Sequence, residues 1–517
     1  MKGGSRVGSL KLIFIELRGK LWESSMHLQR VQIPDFRALK NIDITFEKEF
    51  QPRIFPLGSQ NGGGKSTLLQ LIFVLLHCSV DSDKKHFLIN MLENFHIYKG
   101  KDKRVLAIID IWDGDRTVNL EFLSCKDDYI KLLEPNYKDE IVEGNDYKFS
   151  ILDKVEDMRN QAVNLGNEAF EFDRVLNALE RIRSDSSDPV CINRYLKQLS
   201  YQLNNVRLKR ALDNSHGTRN SPDISHMIDV VNHMRNEYGE ELRTLRYEIE
   251  GLDIILQRAR EVMNSNNYMY LCNHSTEKNS GEVLLCHIDN IDMEESENFF
   301  KELSKKAFLA APSTQVFLFL SRQSRNLLFQ ENDNEMNYSS QLKHAKLAMP
   351  GLFTYDFLSV DVLIEYFKMA RDQDFKQAIH TGEYGNHYKD LLNDFKSMLL
   401  NKVVIPNEDL SGVTFKLDDG EEDQELYTED LSHGELKRLS IYMWIKYRNI
   451  ENAIVLMDEI EIAFHPDWQY QIVQELKEWA PSNQYILATH SYPLCEALTP
   501  AHVKEIEPKL LKQETLD

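Results

Sequence analysis

A glycine-rich segment between an apolar strand and an apolar helix constrains this chain most strongly. Residues 55–69 read FPLGSQNGGGKSTLL. Successive glycines let backbone N–H groups point inward without Cβ clashes, and the following helix N-terminus adds partial positive charge. In such a loop Lys65 reaches the β- and γ-phosphates of a nucleotide, Ser66 holds Mg²⁺ and Thr67 contacts the α-phosphate. The segment therefore predicts a nucleotide-binding loop, although Ser59 stands where the standard pattern begins with glycine.

Length and composition place limits on the rest of the chain. The 517 residues suffice for two or three domains, and the net charge of −21 argues against a protein coated in basic surface. That charge does not exclude a local basic groove. The six cysteines show no metal-binding spacing, which favours reduced thiols. No apolar run approaches the roughly 18–20 residues of a membrane span, so we predict a cytoplasmic protein without membrane contact.

Apolar periodicity predicts an α/β fold with a mixed sheet. Residues 26–46 suggest two strands joined by a turn, and residues 105–112 and 117–123 suggest a hairpin around Asp113, Gly114 and Asp115. This hairpin is expected to form an antiparallel edge beside a parallel sheet. Further strands are predicted at residues 268–272, 283–288 and 316–320, and helices at residues 360–371 and 387–400. The acidic residues 418–430 are expected to form a solvated turn.

A helical region interrupts this pattern. Two apolar seams with spacings of three and four run through residues 155–179 and 231–263, and a third helical stretch covers residues 192–212. The start signal of the second long helix is Ser221-Pro222-Asp223. The seams favour either a coiled-coil arm or an ordinary helical subdomain. We predict an N-terminal extension at residues 1–25, a helical insertion at residues 150–265, and a nucleotide-binding domain split into residues 26–149 and 266–517.

Three short motifs near the end of the chain carry the remaining chemistry. The sequence LSHGE at residues 431–435 opens an apolar helix, and its Ser and Gly suit phosphate binding. Alone, it could also be an N-cap with a capping-box glutamate. The buried strand AIVLM leads into Asp458 and Glu459, for which Mg²⁺ binding and polarisation of an attacking water are the expected roles. His490 follows the strand YILA, where it could contact a γ-phosphate.

In this order the motifs resemble those of the ABC-type ATPase superfamily. The similarity is to its soluble branch, with SMC, Rad-type and RecF-type repair ATPases and the overcoming-lysogenization-defect (OLD) family. Residues 459–469, EIEIAFHPDWQ, look like the OLD-like segment DEPExxLHPxxQ, with Ile460 in place of proline. The resemblance implies an ABC-type P-loop ATPase domain that uses ATP and Mg²⁺. The implied Walker A residues are Asn61, Gly62, Gly63, Gly64, Lys65, Ser66 and Thr67; the signature residues are Ser432, His433, Gly434 and Glu435; Walker B is Asp458 and Glu459; the switch histidine is His490; and Arg37 contacts phosphate.

The resemblance also implies a Q-loop glutamine and a dimer. Gln323, after the sequence VFLFL, is our choice for the Q-loop, and Gln315 is its rival. The signature of this superfamily completes the nucleotide site of a second subunit, which implies a head-to-tail homodimer or a higher homo-oligomer. His433 replaces the usual small signature residue, and this departure, like Ser59, could slow hydrolysis.

The arrangement of the whole chain resembles PtuA, the ATPase of Septu-type antiphage defence systems, including retron-associated forms. Few residues follow His490 and no nuclease motif is evident, so we expect the controlled chemistry on another polypeptide. The resemblance implies an HNH nuclease partner (PtuB-like) and, in retron forms, a reverse transcriptase with its RNA–DNA product. The basic residues Arg207, Lys209, Arg210 and Arg219 could touch nucleic acid or form a solvated helix face.

Two alternatives to a defence ATPase stay open from the sequence. One is a DNA-repair ATPase of the SMC, RecF or Rad type, against which the acidic net charge counts mildly. The other is a nucleotide-gated scaffold that binds ATP and hydrolyses it little. Replacing Glu459 by Gln separates the scaffold from a true ATPase, because only the ATPase has turnover to lose.

Overall fold

The computed structural model describes residues 26–58, 62–134, 147–185, 189–203, 205–214, 223–274, 281–326, 338–355, 360–399, 401–418 and 425–506. These residues form two compact units. The first unit comprises the described residues up to Lys126 and from Asn267 onward, and the second comprises those between Asp127 and Asn266.

The strands are β1 His27–Phe36, β2 Leu39–Thr45, β3 Ile54–Gly58, β4 Lys103–Trp112, β5 Thr117–Lys126, β6 Tyr268–Asn273, β7 Glu282–Asp289, β8 Ala307–Ala311, β9 Leu352–Thr354, β10 Lys402–Pro406, β11 Val413–Leu417, β12 Glu425–Leu426, β13 Ile454–Asp458, β14 Gln484–Ala488 and β15 Lys504–Glu505. The helices are α1 Lys65–Cys78, α2 Lys85–Met91, α3 Ile130–Leu133, α4 Ile151–Asp185, α5 Pro189–Tyr201, α6 Val206–Asn214, α7 Ile224–Ser265, α8 Met293–Lys306, α9 Arg322–Asn326, α10 Tyr338–Ala348, α11 Val360–Thr381, α12 His387–Met398, α13 His433–Tyr447, α14 Pro466–Trp479 and α15 Tyr492–Glu496.

The first unit contains an antiparallel sheet of six strands in the order β2-β1-β4-β5-β7-β6. Its predicted hairpins are confirmed: β1 pairs with β2, and β4 pairs with β5 through Ile109 and Leu120. The carboxylate of Asp113 accepts the N–H groups of Asp115 and Arg116, both at 2.9 Å, and so closes the β4–β5 turn. Alternating apolar side chains such as Ile109 and Ile111 are buried, which gives this sheet one apolar face.

A second six-stranded sheet, in the order β15-β3-β14-β13-β8-β9, is parallel throughout. Its central strands, such as β13 and β14, are buried along their whole length, which explains their unbroken apolar sequences. Helix α1 is apolar on nearly all sides because it packs in one core with residues of both sheets, including Phe55, Leu120 and Ile486.

The second unit is helical and has its own core. Helices α4 and α7 pack antiparallel, since Arg159 contacts Asp253 while Phe172 meets Tyr238 with ring centroids 5.0 Å apart. The start signal of α7 is confirmed, because the Asp223 carboxylate accepts the N–H of His226 at 3.0 Å. This unit also takes in the short segment of residues 127–133, ahead of α4.

The α/β fold with a helical insertion is as expected, and three details differ. The antiparallel strands form a sheet of their own instead of an edge of the parallel sheet. Residues 316–320 are buried but do not pair as a strand, and the predicted helix at residues 192–212 is divided into α5 and α6. The extension at residues 1–25 and residues 419–424 of the acidic turn lie outside the described residues. Among the residues described, no helix has the length and apolarity to cross a bilayer.

Candidate active site at the carboxyl edge of the parallel sheet

Four strands of the parallel sheet bring the predicted motifs to one edge. β3, β14, β13 and β8 lie side by side in parallel, so their carboxyl ends face the same direction. The glycine loop follows β3, Glu459 follows β13, His490 follows β14, and Gln315 follows β8. Crevices beyond the carboxyl ends of parallel strands are the usual ligand sites of such sheets. The topology therefore gathers residues that are far apart in the sequence.

The glycine loop ends in a backbone conformation suited to glycine. Gly64 has φ +87° and precedes α1, so a side chain here would be strained. An added Cβ would also lie 2.7 Å from the side chain of Leu39, the first residue of β2, and 3.5 Å from the Cβ of Ala38 in the turn that joins β1 and β2. This turn therefore lies directly against the loop. Gly62 has φ +82° with open space around it.

Lys65 and His490 face each other at this edge. Lys65 Nζ lies 2.9 Å from His490 Nε2. Because an ammonium group only donates hydrogen bonds, the ring nitrogen accepts here. Burial lowers the pKa of Lys65, while Asp458, Glu461 and Glu459 act in the opposite direction. These carboxylates keep a partly buried cation charged at the position where phosphate charge is expected.

Asp458 is a buried carboxylate whose negative charge a bound cation would stabilise. Its residue is 1% exposed, and neither carboxylate oxygen has a hydrogen-bond partner within the described part of the chain. Burial raises the pKa of Asp458 to about 7, whereas Ser66 and Lys65 lower it. Ser66 Oγ lies 3.5 Å from Gln315 Oε1. Carboxylate, hydroxyl and amide oxygens are the ligand types that Mg²⁺ prefers, so these residues fit a magnesium ion.

Gln315 contacts the predicted catalytic carboxylate. Its side-chain Nε2 donates to Glu459 Oε2 at 2.6 Å, and its main-chain carbonyl accepts from Gln70 Nε2 at 2.8 Å. This contact favours the rival Gln315 over our sequence-based choice of Gln323, which is an exposed residue of α9. The choice of Gln323 rested on a strand at residues 316–320, whereas the strand in this region is β8. Gln315 follows β8 through a short 3-10 turn, Ser313–Gln315.

Sequence reasoning did not single out Glu461 or Lys437. Glu461 Oε1 accepts the backbone N–H of His490 at 2.7 Å, which joins the loops after β13 and β14. Its Oε2 is buried without a hydrogen-bond partner in the described residues. Lys437 Nζ donates to the carbonyls of Glu459 at 2.9 Å and Ile462 at 3.2 Å. The signal for Glu461 was present in the EIE sequence, whereas an isolated lysine in an apolar helix gave no signal.

The LSHGE residues form the first turn of α13. Ser432 is the N-cap, and Ser432 and Glu435 form a complete capping box. Lys402 Nζ contacts both Glu435 oxygens, at 2.7 and 2.9 Å. His433 is exposed at the helix tip, and Gly434 packs so closely that a Cβ would lie 2.7 Å from the Ala463 carbonyl. The capping box foreseen from the sequence is therefore present together with the features of a phosphate-binding helix tip.

The remaining predicted residues have mixed placements. Arg37 lies in the β1–β2 turn that contacts the glycine loop, with φ 53° and its guanidinium donating to the Met91 carbonyl at 3.2 Å. Thr67 lies in the first turn of α1, and Gly63 in the loop before it. Asn61 and Ser59 fall outside the described residues.

Comparison with known proteins gives one extensive match and, among others, two local ones. A family model described as AAA ATPase domain matches residues 26–494. Retron Vc95 probable ATPase of Vibrio cholerae serotype O1 biovar El Tor is 44% identical over 54 residues, 10% of this chain and 10% of that protein. DNA replication and repair protein RecF of Saccharophagus degradans is 30% identical over 107 residues, 19% of this chain and 28% of that protein. Both local matches thus span well under two thirds of those relatives' lengths.

Solved structures that align with most of this chain at low TM-scores include two examples. One is the Smc head domain of Pyrococcus furiosus with an extended coiled coil, bound to the C-terminal domain of ScpA: 12% identity, 91% of this chain, 92% of that chain and a TM-score of 0.28. The other is the recombination mediator protein RecF with ATPrS: 13% identity, 91% of this chain, 94% of that chain and a TM-score of 0.26.

Proposed function

The chain belongs to the AAA ATPase domain family, and from this premise we propose that it binds and hydrolyses ATP as the regulatory subunit of an antiphage defence complex. The observation that carries the ATPase part is the meeting of Lys65, Ser66, Gln315, Glu459 and His490 at one edge of the parallel sheet. In this set Lys65 supplies a cation for the phosphates, Ser66 supplies a hydroxyl that suits Mg²⁺, and the Gln315 amide orients the Glu459 carboxylate.

The proposal gives each residue a role that is consistent with its placement. Gly62, Gly64 and Lys65 hold the phosphates, with Arg37 and Thr67 beside them. Ser66 and Asp458 hold Mg²⁺, which when bound offsets negative charge on the phosphates. Glu459 is the base for the attacking water: Gln315 fixes its Oε2, and we assign the proton to Oε1. His490 contacts the γ-phosphate. Because His490 also contacts Lys65 and Glu461, it couples the positions of these two residues to the presence of that phosphate.

The active form in this proposal is a homodimer or a higher homo-oligomer with two nucleotides between subunits. The exposed tip of α13, with Ser432, His433 and Gly434, would contact the partner's nucleotide through backbone N–H groups. Glu435 would keep that tip in shape through the capping box and Lys402. The support is the combination of an N-capped helix start with a glycine that cannot carry a Cβ.

The second part of the proposal is the role in antiphage defence, with its partner proteins. The local identity to Retron Vc95 probable ATPase supports a Septu-type, PtuA-like assignment. In that setting an HNH nuclease is the controlled partner, and a reverse transcriptase with its RNA–DNA product completes a retron form. Arg207 and Arg210 are exposed on α6, and the Nζ of Lys209 on the same helix lies 5.9 Å from the ring centroid of the exposed Tyr201, which suits contact with nucleic acid. Arg219 lies outside the described residues.

A repair ATPase is the second candidate, since the local identity to RecF favours it. Such a protein would bind duplex DNA ends or gaps in an ATP-dependent manner without a nuclease partner. A nucleotide-gated scaffold with little hydrolysis is the third, motivated by His433 in the signature. The gene neighbourhood separates the first two, because a defence ATPase should have an HNH protein encoded beside it.

The testing experiment uses the purified full chain. Phosphate release is measured with ATP and Mg²⁺, with EDTA, and with the Lys65→Met variant, and an adjacent HNH protein is co-expressed for pull-down and nuclease assays. The proposal expects Mg²⁺-dependent turnover lost in Lys65→Met, together with a nuclease whose activity changes with nucleotide. ATP-dependent DNA-end binding without an HNH partner would replace it with the repair function.

A further inference from the structure

We propose that Lys437 is a positioning residue that holds the loop carrying Glu459 and links it to the LSHGE helix. The inference rests on the proposed ATPase function and deepens it. The ammonium group of Lys437 contacts main-chain carbonyls of the loop after β13. Its role is therefore to fix the backbone from which the predicted base projects.

The loop that Lys437 contacts has an unusual backbone. Glu459 has φ 50° and Ala463 has φ 72°, values that side-chain-bearing residues rarely adopt. Such residues persist when surrounding contacts determine them, and they concentrate at functional sites. Lys437 Nζ joins the carbonyls of Glu459 and Ile462, so one cation closes the turn between the two strained positions.

Lys437 is held in place by its surroundings. The residue is 8% exposed, and its Nζ lies 4.0 Å from the ring centroid of Tyr355 and 5.5 Å from that of Phe464. Burial lowers the pKa of Lys437 to about 7, while Glu461, Glu459 and Asp458 raise it. A buried ammonium group is costly without partners, and here two carbonyls and an aromatic face supply them. A solvated lysine would show none of these contacts.

The same helix contacts the loop at a second point. Gly434 packs on the Ala463 carbonyl, as the 2.7 Å approach of a Cβ built there shows. The first turns of α13 thus touch the loop at Ala463 through Gly434 and at Glu459 and Ile462 through Lys437. Gln315 holds the Glu459 side chain while Lys437 holds its main chain. A shift of the helix tip would therefore move the predicted base.

Lys437→Met removes the cation and keeps a long, flexible, apolar side chain in the buried space. Lys446→Met is the matched control, because Lys446 is exposed on the same helix. Hydrogen–deuterium exchange at residues 459–464 reports on the loop without requiring hydrolysis. Steady-state turnover, nucleotide affinity measured with a fluorescent ATP analogue, and Lys437→Met in the Glu459→Gln background complete the set.

We expect faster exchange in the loop of Lys437→Met and a turnover loss of about tenfold or more, with nucleotide affinity within about twofold of wild type. In the Glu459→Gln background, adding Lys437→Met should lower turnover little further, because both changes act through the Glu459 carboxylate. Unchanged loop exchange would overturn the proposal, as would weakened nucleotide binding with unchanged turnover, or fully additive losses. If the wild-type chain shows no hydrolysis, the ATPase proposal fails, and loop exchange still decides the role of Lys437.

Discussion

Gln315 Nε2 donates to Glu459 Oε2 across 2.6 Å, which joins the loop after β8 to the loop after β13. The Gln315 loop is itself fixed, because Gln70 of α1 bonds the Gln315 carbonyl and accepts from the N–H groups of Phe317 and Leu318. The predicted base is therefore tied to the same helix that begins with Lys65. Helix α1 therefore supports both the lysine predicted to bind phosphate and the loop that orients Glu459.

Replacing Gln315 should lower turnover more than nucleotide binding. Gln315→Ala removes the only amide donor that we assign to orienting Glu459, so we expect kcat to fall about 10–100-fold with the ATP affinity changed little. Phosphate release and nucleotide titration measure the two effects. Gln323→Ala is the control and should behave as wild type, because Gln323 is exposed on α9. A loss confined to Gln323→Ala would restore the sequence-based choice.

Gly64 should tolerate alanine less well than Gly62. Both have positive φ, so an alanine at either position carries the left-handed cost of about 1–2 kcal/mol. At Gly64 the new Cβ would also lie 2.7 Å from the buried Leu39 side chain, which must shift. Urea denaturation should therefore rank the two variants, with Gly64→Ala the less stable. Equal stabilities would mean that the Leu39 side chain moves aside at no cost.

Arg438 anchors α13 through a buried ion pair. Its Nε donates to Glu475 at 2.9 Å and its Nη1 to the Met398 carbonyl at 3.0 Å. Burial lowers the pKa of Arg438 to about 10. Arg438→Met leaves the Glu475 charge unpaired, so a loss of about 3–5 kcal/mol in the free energy of unfolding is expected.

The control for that prediction is a surface pair. Lys301→Met breaks the exposed contact with Glu297, for which less than about 1 kcal/mol is expected. Replacing Arg438 and Glu475 together by apolar residues should cost less than Arg438→Met alone. A single Arg438 variant as stable as wild type would show that the pair carries no stability.

The sequence located the motifs because their chemistry is local. A glycine loop before an apolar helix, carboxylates at the end of an apolar strand, and a histidine after a strand are each readable within a few residues. The parallel sheet then brings Lys65 and His490 together, as the order of the motifs suggested. The hairpin at Asp113 was likewise set by turn chemistry.

The remaining features of the site depend on tertiary contacts, which a sequence pattern does not reveal. The apolar residues 316–320 have the composition of a strand, yet they are largely buried without pairing, and for this reason the sequence favoured Gln323 over Gln315. Lys437 and Glu461 act through main-chain carbonyls and N–H groups, whose positions depend on the packing of α13 against the loop after β13.

Acid should destabilise the first unit through three buried histidines. Burial is the main cause that lowers the pKa of His27, His77 and His274 from 6.5 to about 4. Between these pH values the unfolded chain binds more protons than the native one, so stability is full above about pH 6.5 and falls toward pH 4. Each histidine contributes on the order of 2–3 kcal/mol to this loss.

Denaturation in urea at pH 7.5 and pH 5 checks the histidine prediction. His27→Gln should reduce the pH dependence, since it removes one of the buried groups that must be protonated. His465→Gln is the control, because His465 is exposed. A pH dependence unchanged by His27→Gln would indicate that other groups govern acid unfolding.

The most direct test of the ATPase account is turnover by Glu459→Gln compared with wild type, with ATP affinity measured on the same samples. The change keeps the shape of the side chain and removes its basicity, so we expect phosphate release to fall by about 100-fold or more while ATP still binds. Turnover equal to that of wild type, or a wild-type chain that retains no ATP, would contradict the account.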